Sequence, residues 1–316
     1  MLIHLEDTDS SAIAKQLGTQ VTTGRVLTLI VVCSPDDDID CLITATNDAS
    51  REHPSRVLML VADPEAETAG VDADIHLGGD SGASELVVMH LRGDVARHLD
   101  AVVRPLLLPD TPVVAWWPAA APIDPAVDPI GALAQRRITD ALFDPPVDSI
   151  YRRRNNYTPG DSDMSWSRIT PWRGVVAATM DQPPHEEIID GRVFGPADSP
   201  SVDLAAGWLA DRLGVNIVRE STGQPAIPVD DEGNPCIAIT KVEIMRTSST
   251  ITIEVADATT LSVQMPGRPP ALVALSRRSQ SDCLAEELRH LDPDRAYGRA
   301  LRGLSRVRYV DTFSAQ

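Results

Sequence analysis

The chain has 316 residues and a formal net charge of -18, with an isoelectric point of about 4.7. Since domains run to roughly 100–200 residues, this length favours two domains. Binding to a phosphate backbone requires clustered Lys and Arg, so the acidic balance argues against nucleic acid as a partner. Apolar residues form 43% of the chain and charged residues 23%, which is typical of a folded globular protein.

The sequence also argues against a membrane protein. The apolar run at 26–33 is far shorter than the roughly 20 residues that a spanning helix needs. Glu6, Asp7 and Asp9 stand where a secretory leader would carry Lys or Arg. The four cysteines form no C-x-x-C pair and have no zinc-ligand spacing. We therefore expect a cytoplasmic protein with reduced thiols, without a metal and without a membrane contact.

Residues 1–145 are predicted to form an α/β domain. Apolar runs predict five strands, at 25–33, 56–62, 74–77, 84–91 and 112–117. Patterns of helical period predict three helices, at 39–49, 94–106 and 129–142. The first strand, first helix and second strand make a βαβ unit, which implies a parallel pair.

A second domain is predicted at 166–316, after a linker at 146–165 that is rich in proline, arginine and asparagine. Helical patterns occur at 166–180, 199–214, 281–291 and 293–304. Alternating patterns predict antiparallel strands at 236–245, 250–255 and 261–265. This half is therefore predicted to be α+β, with an antiparallel sheet.

A glycine-rich loop at 78–82 contains the tetrapeptide Gly-Asp-Ser-Gly that surrounds the nucleophile of trypsin-like serine proteases. No histidine stands in the setting that such a triad needs, and the surrounding pattern is α/β rather than a pair of β-barrels. We interpret the loop as a turn. Its backbone leaves a weaker alternative open, an anion site. The candidate anion-binding residues are Gly78, Gly79, Ser81 and Gly82.

The turn after the first predicted strand is acidic. Asp36, Asp37 and Asp38 stand where a dinucleotide-binding domain has its glycine-rich phosphate loop, and carboxylates there would repel a pyrophosphate. The same carboxylates suit the N-terminus of a helix, where negative charge is stabilised. The turn also lacks the glycine and the distal glutamate of a calcium loop. We therefore expect no cofactor, no metal and no catalytic residue.

Tryptophan and arginine are unevenly distributed. Aromatic residues form only 4% of the chain, yet most of its tryptophans stand beside another tryptophan or an arginine. Both residue types are typical anchors of protein interfaces, so we predict a partner-binding groove at the domain junction. The alternative is that the tryptophans form core and the arginines pair with internal carboxylates. The partner-binding candidates are Trp116, Trp117, Arg136, Arg137, Trp166, Arg168, Trp172 and Arg173.

Five phrases carry a family resemblance. They are GRVLTL at 24–29, ASREHPSRV at 49–57, LLLPDTPV at 106–113, AQRRITD at 134–140 and MSWSRITPWR at 164–173. Together they closely resemble the actinobacterial OpcA proteins, described as glucose-6-phosphate dehydrogenase assembly proteins. The resemblance spans essentially the whole chain and is strongest over 24–173.

This resemblance implies a non-catalytic partner that promotes assembly of glucose-6-phosphate dehydrogenase or activates its oligomer, in the oxidative pentose phosphate pathway. The family offers no settled set of functional residues, so the candidates above come from residue chemistry. The alternative function, taken from the residues alone, is an α/β domain that binds or converts a sugar phosphate at the loop 78–82.

Overall fold

In the computed structural model, which describes residues 1–18, 24–77, 85–144 and 149–311, the chain folds around two β-sheets. The strands are β1 Leu2–Leu5, β2 Leu27–Cys33, β3 Ser55–Asp63, β4 Gly70–Leu77, β5 Glu85–Arg92, β6 Val113–Trp116, β7 Arg136–Thr139, β8 Asp161–Asp163, β9 Ile188–Pro196, β10 Ile217–Thr222, β11 Lys241–Arg246, β12 Thr250–Asp257, β13 Thr260–Gln264, β14 Ala271–Ala274 and β15 Val307–Asp311. The α-helices are α1 Ser10–Gly18, α2 Ile39–Glu52, α3 Leu99–Val103, α4 Ser149–Asn155, α5 Met164–Arg168, α6 Thr170–Met180, α7 Pro200–Leu213, α8 Gln280–Arg289 and α9 Arg295–Gly303.

The two sheets belong to two compact units. Unit 1 consists of Met1–Phe143, Thr158–Met164 and Gln280–Pro293, and unit 2 of Asp144–Tyr157, Ser165–Ser279 and Asp294–Gln316. This division differs from the single linker that we predicted at 146–165, because Thr158–Met164 from within that linker and Gln280–Pro293 from the predicted second domain fold with unit 1. One of them supplies β8, and the other supplies α8.

Unit 1 contains the predicted α/β architecture. Its eight strands lie in the order β1-β4-β5-β3-β2-β6-β7-β8. The neighbours from β5 to β8 pair in parallel, whereas β1, β4 and β5 pair antiparallel. Numbered by appearance, the six parallel strands are arranged 3-2-1-4-5-6, which is the order of a doubly wound dinucleotide-binding fold. The predicted βαβ unit is confirmed as β2, α2 and β3.

Apolar side chains pack on both faces of this sheet. On one face, Ile13 of α1 packs with Leu58 of β3. On the other face, Met59 of β3 packs with α2 and with Leu284 and Leu288 of α8. The strands β2 and β3 are therefore buried on both sides, which explains their continuous apolar sequence. Because α8 completes the second face, residues 280–293 belong to unit 1.

The helix predicted at 129–142 is wrong. Residues Gly131–Leu133 form a single 3₁₀ turn, and β7 follows between β6 and β8. Asp128 begins the turn, because its side chain accepts hydrogen bonds from the backbone N–H groups of Ile130 and Gly131. The parallel neighbours of β7 then override the helical spacing of apolar residues. The helix predicted at 94–106 is also interrupted, with α3 between two 3₁₀ segments.

Unit 2 contains a seven-stranded sheet in the order β14-β13-β12-β11-β9-β10-β15. The strands from β14 to β9 are antiparallel, as predicted for β11, β12 and β13, while β9, β10 and β15 pair in parallel. Side chains such as Val242, Ile253 and Leu261 are buried on one face, and alternate positions are more exposed. Helix α7 packs on β9 and β10, and α9 packs on α7.

Candidate functional site

The turn after β2 lies at the switch point of the unit 1 sheet, where doubly wound folds bind their ligands. This turn is filled by its own carboxylates. Asp37 accepts hydrogen bonds from the Ser34 backbone N–H at 2.7 Å and from the Ser34 hydroxyl at 3.2 Å. Asp38 accepts the Cys41 backbone N–H at 3.0 Å and so caps α2. These internal bonds occupy donors that a phosphate would need.

Nucleophilic chemistry is also disfavoured at this turn. Cys33, at the end of β2, is buried, and its thiol donates to the backbone carbonyl of Leu60 at 3.5 Å. Burial, together with the nearby negative charge of Asp37, raises the pKa of Cys33 to about 12. Since the thiolate is the nucleophilic form, this cysteine stays inert near neutral pH. The neighbouring strand β6 ends at Trp116, Trp117 follows it, and both tryptophans are buried.

Arg136 and Arg137 lie on β7 and are both buried. Arg136 pairs with Glu287 of α8, with 3.1 Å between Nε and Oε2, and it also donates to the backbone carbonyl of Asp292. Arg137 pairs with Asp161 of β8 and donates to two backbone carbonyls. The two guanidinium groups thus attach both distant segments of unit 1 to its sheet. This arrangement corresponds to the structural alternative considered from the sequence.

The tryptophans of unit 2 also form core. Trp166 and Trp172 are buried, and the Trp166 indole N–H donates to Asp294 at 2.7 Å. The rings of Trp172 and Trp208 meet edge to face, with their centroids 6.0 Å apart. Arg173 lies 3.5 Å above the centre of the Trp166 ring, a cation–π contact.

Two of the eight partner-binding candidates, Arg168 and Arg173, retain partly exposed side chains, whereas the other six are buried. A common partner-binding groove for all eight stays a prediction. The candidate anion loop, formed by Gly78, Gly79, Ser81 and Gly82, lies outside the described residues.

An apolar groove of about 470 Å³ lies in unit 2 between α6 and the hairpin of β13 and β14. We call it the α6–β14 groove. Gly174 and Ala178 line it from α6, and Val263, Ala271 and Val273 line it from the two strands. Sequence reasoning missed this feature, although the helical spacing of small residues on α6 was a visible signal. A helix whose outer face is small and uncharged leaves an apolar surface open to a ligand or partner.

A buried arginine holds the carboxyl ends of β9 and β10. Arg219 donates to the backbone carbonyls of Gly195 at 2.9 Å and Ala197 at 3.1 Å, and its Nε donates to Asp203 of α7 at 3.0 Å. The Asp203 side chain is only 14% exposed. Burial raises the pKa of Asp203 to about 6, and the opposing charge of Arg219 only partly offsets this.

The raised pKa of Asp203 predicts that the free energy of unfolding depends on pH. Its folded-state pKa of about 6 exceeds the ordinary value of 3.8, so the folded protein binds this proton more tightly than the unfolded chain does. The resulting stabilisation is fully present below pH 4 and is lost as the pH rises through about 6. We expect the free energy of unfolding, relative to Asp203→Asn, to fall by about 1–3 kcal/mol between these limits. Urea denaturation of both proteins at several pH values measures this, and a constant difference would contradict the expectation.

No group of three or more His, Cys, Asp or Glu side chains in the described part of the chain is placed to hold a metal ion. No helix within the described ranges is long and apolar enough to span a membrane.

Two family profiles match the sequence. Residues 46–155 match the glucose-6-phosphate dehydrogenase subunit N-terminal domain, and residues 159–301 match the C-terminal domain of the same subunit, both of the OpcA type. A relative from Synechocystis sp., named as an OxPP cycle protein OpcA, is 24% identical over 143 residues. That match covers 41% of this chain and 29% of the relative, so the chain spans under a third of the relative's length.

Solved oxidoreductase structures show a distant likeness. KijD10, a 3-ketoreductase from Actinomadura kijaniata, has a TM-score of 0.47 at 10% identity, over 91% of this chain and 99% of its own. Scyllo-inositol dehydrogenase from Lactobacillus casei has a TM-score of 0.39 at 9% identity, over 89% of this chain and 96% of its own. These scores are too low to support a conclusion about fold or chemistry.

The family resemblance noted in the sequence is therefore confirmed by two profiles that follow one another along the chain. The N-terminal profile covers much of the α/β half, and the C-terminal profile covers most of the rest. The chain belongs to the OpcA family of glucose-6-phosphate dehydrogenase subunits.

Proposed function

We propose that this chain is a non-catalytic partner of glucose-6-phosphate dehydrogenase that promotes assembly of the enzyme or activates its oligomer, in the oxidative pentose phosphate pathway. The observation that carries the proposal is the match of both halves of the chain to domains described as parts of that dehydrogenase subunit. The proposal places the chain in the cytoplasm, together with the enzyme.

The switch point of unit 1 supports a role without catalysis. The strand order is that of a dinucleotide-binding fold. In the first turn, however, the carboxylates of Asp37 and Asp38 accept hydrogen bonds from backbone N–H groups and add negative charge. A pyrophosphate would therefore meet repulsion where such folds normally offer N–H groups. We infer that the fold serves here as a scaffold for protein contacts.

Activation needs only a difference in affinity. If the chain binds the active oligomer of the dehydrogenase more tightly than the inactive form, it shifts the population toward activity. A preference of about 1.4 kcal/mol is enough for a tenfold shift. We retain Arg168 and Arg173 as proposed contacts, since both keep exposed surface on unit 2.

The proposal is tested by mixing the purified chain with purified glucose-6-phosphate dehydrogenase at micromolar concentration. Size-exclusion chromatography with light scattering should show a complex, and the specific activity of the dehydrogenase should rise. The chain alone should not turn over glucose 6-phosphate. Two outcomes would contradict the proposal: separate elution with unchanged activity, or turnover by the chain itself that a point substitution in it abolishes.

A further inference from the structure

The strand β14 forms one edge of the unit 2 sheet and pairs only with β13 among the described strands. Its sequence, Ala-Leu-Val-Ala, contains neither charge nor proline. The Leu272 side chain is 72% exposed. Natural proteins usually protect such edges with charges, prolines or bulges, because unpaired backbone groups there accept another strand. The strand itself has none of these protections, and Pro269 and Pro270 stand directly before it.

The free backbone donors of this edge are identified by the hydrogen-bond pattern. The N–H of Leu275, just beyond β14, donates to the Thr259 carbonyl at 2.8 Å and so points toward β13. Because backbone groups alternate in direction along a strand, the N–H groups of Leu272 and Ala274 point the other way, out of the sheet. A partner strand would pair with these two residues.

The α6–β14 groove lies beside this edge. In the register of β13 and β14, Ala271 is opposite Val263 and Val273 is opposite Leu261, and both partners on β13 are buried. Ala271 and Val273 therefore face the helix side of the sheet, where they line the groove. An added strand would place every second side chain toward this apolar space of about 470 Å³.

The charge around the α6–β14 groove indicates which kind of partner segment fits beside β14. Residues 258–281 contain three arginines and no Asp or Glu, and residues 165–180 of the facing helices contain two arginines and no Asp or Glu. Arg277 and Arg278 line a separate pocket together with Asp230, Asp231 and Glu232, so the positive charge at the groove itself comes from Arg268. At the mouth of the groove, the Arg268 side chain is exposed and donates to two neutral oxygens, Oε1 of Gln182 and the backbone carbonyl of Pro183. A segment with carboxylates at its ends complements this surface.

A second copy of the chain fits the edge poorly. Because the outward groups are those of Leu272 and Ala274, antiparallel self-pairing that sets Leu272 of one copy opposite Ala274 of the other would place Arg268 opposite Arg278. Like charges directly opposite each other across two strands are destabilising. The two ends of β14 therefore favour an acidic partner over another copy.

We propose that β14 and the α6–β14 groove bind an extended segment of the partner as an eighth strand, with apolar side chains toward the groove and carboxylates at its ends. This inference rests on the proposed function, since glucose-6-phosphate dehydrogenase supplies the segment. The contact would be made by the Leu272 and Ala274 backbone and would be strengthened by Arg268.

The test compares two substitutions at one position in the full chain. Ala274→Pro removes the outward N–H without removing a bond to β13, whereas Ala274→Ser keeps the N–H. We expect Ala274→Pro to weaken binding of purified dehydrogenase at least about tenfold, and Ala274→Ser to stay within about twofold of the wild type. Biolayer interferometry gives both affinities, and thermal melts show whether the variants fold. Raising the salt concentration should weaken the wild-type complex.

A second measurement does not depend on the proline variant. Hydrogen exchange of the Leu272 and Ala274 amides should slow in the complex, and Ala178→Trp, which fills the groove from α6, should weaken binding without disturbing the edge.

If wild type binds and neither Ala274→Pro nor exchange shows an effect, this inference is overturned while the proposed function stands. If both Ala274 variants bind equally weakly, strand addition is also overturned. Protection that grows with concentration in the chain alone would assign the edge to a second copy instead. Absence of wild-type binding would overturn both proposals.

Discussion

Replacing Glu287 with alanine should destabilise the protein by about 3–5 kcal/mol, because it leaves Arg136 charged and unpaired in the interior of unit 1. Arg136 is 4% exposed and Glu287 is 2% exposed, so water cannot replace the lost carboxylate. The hydrogen bond from the guanidinium to the Asp292 carbonyl does not neutralise its charge. Urea denaturation followed by circular dichroism measures the change in the free energy of unfolding.

Glu52→Ala is the matched control, since it removes another ion pair that attaches α8 to unit 1. Glu52 of α2 pairs with Arg289 of α8 at 3.3 Å, but their side chains are 58% and 57% exposed. We expect that substitution to cost less than about 1 kcal/mol. The double variant Arg136→Met, Glu287→Leu should recover most of the lost stability, because it removes both buried charges. Equal effects of Glu287→Ala and Glu52→Ala would show that burial does not govern this pair.

Gly303→Ala should destabilise unit 2 by about 2–3 kcal/mol, near the upper end for overpacking a core. Gly303 ends α9 where it packs against α7, and an added Cβ would lie 2.0 Å from the Gly207 carbonyl oxygen. The atoms it meets are backbone atoms, which cannot rotate aside as a side chain does. Gly303 has helical backbone angles, with φ at -59°, so the predicted cost is steric rather than conformational.

The same substitution at Gly174 provides the control. Gly174 lies in α6, and nothing stands within 4 Å of the position where its Cβ would be. Alanine has a higher helix propensity than glycine, so Gly174→Ala should stabilise the protein by about 0.5–1 kcal/mol. Thermal and urea unfolding of both variants measure these opposite signs. A stabilising Gly303→Ala would mean that α7 and α9 separate at little cost.

The elements of the α/β half were well predicted where the burial of the side chains matches the spacing of apolar residues in the sequence. The strands β2 and β3 were predicted because both faces are buried and their sequences are continuously apolar. The strand β7 was missed because its two buried faces carry Arg136 and Arg137, whose charges are neutralised by partners distant in sequence. Local patterns carry no information about such partners. For the same reason the sequence did not show that residues 280–293 fold with unit 1.

The partner-binding groove chosen from tryptophan and arginine stays a prediction. Tryptophan and arginine were chosen for their chemistry as anchors, yet Trp166 and Arg137 are buried with their polar groups bound inside the chain. Composition does not distinguish an anchor at an interface from an anchor in a core, because both use large rings and planar donors. The β14 edge was missed because its strand is only four residues long.

The pair formed by Arg136 and Glu287 joins residues 151 positions apart, and this has a consequence for how the protein is made. During synthesis, the strands of unit 1 leave the ribosome long before α8 does. Until α8 arrives, the apolar side chains of α2 and of Met59 on β3 lack part of the layer that buries them. Nascent unit 1 therefore has to persist with an incomplete face while all of residues 165–279 is added. Chaperone binding during translation should concentrate on this interval and end once α8 has docked.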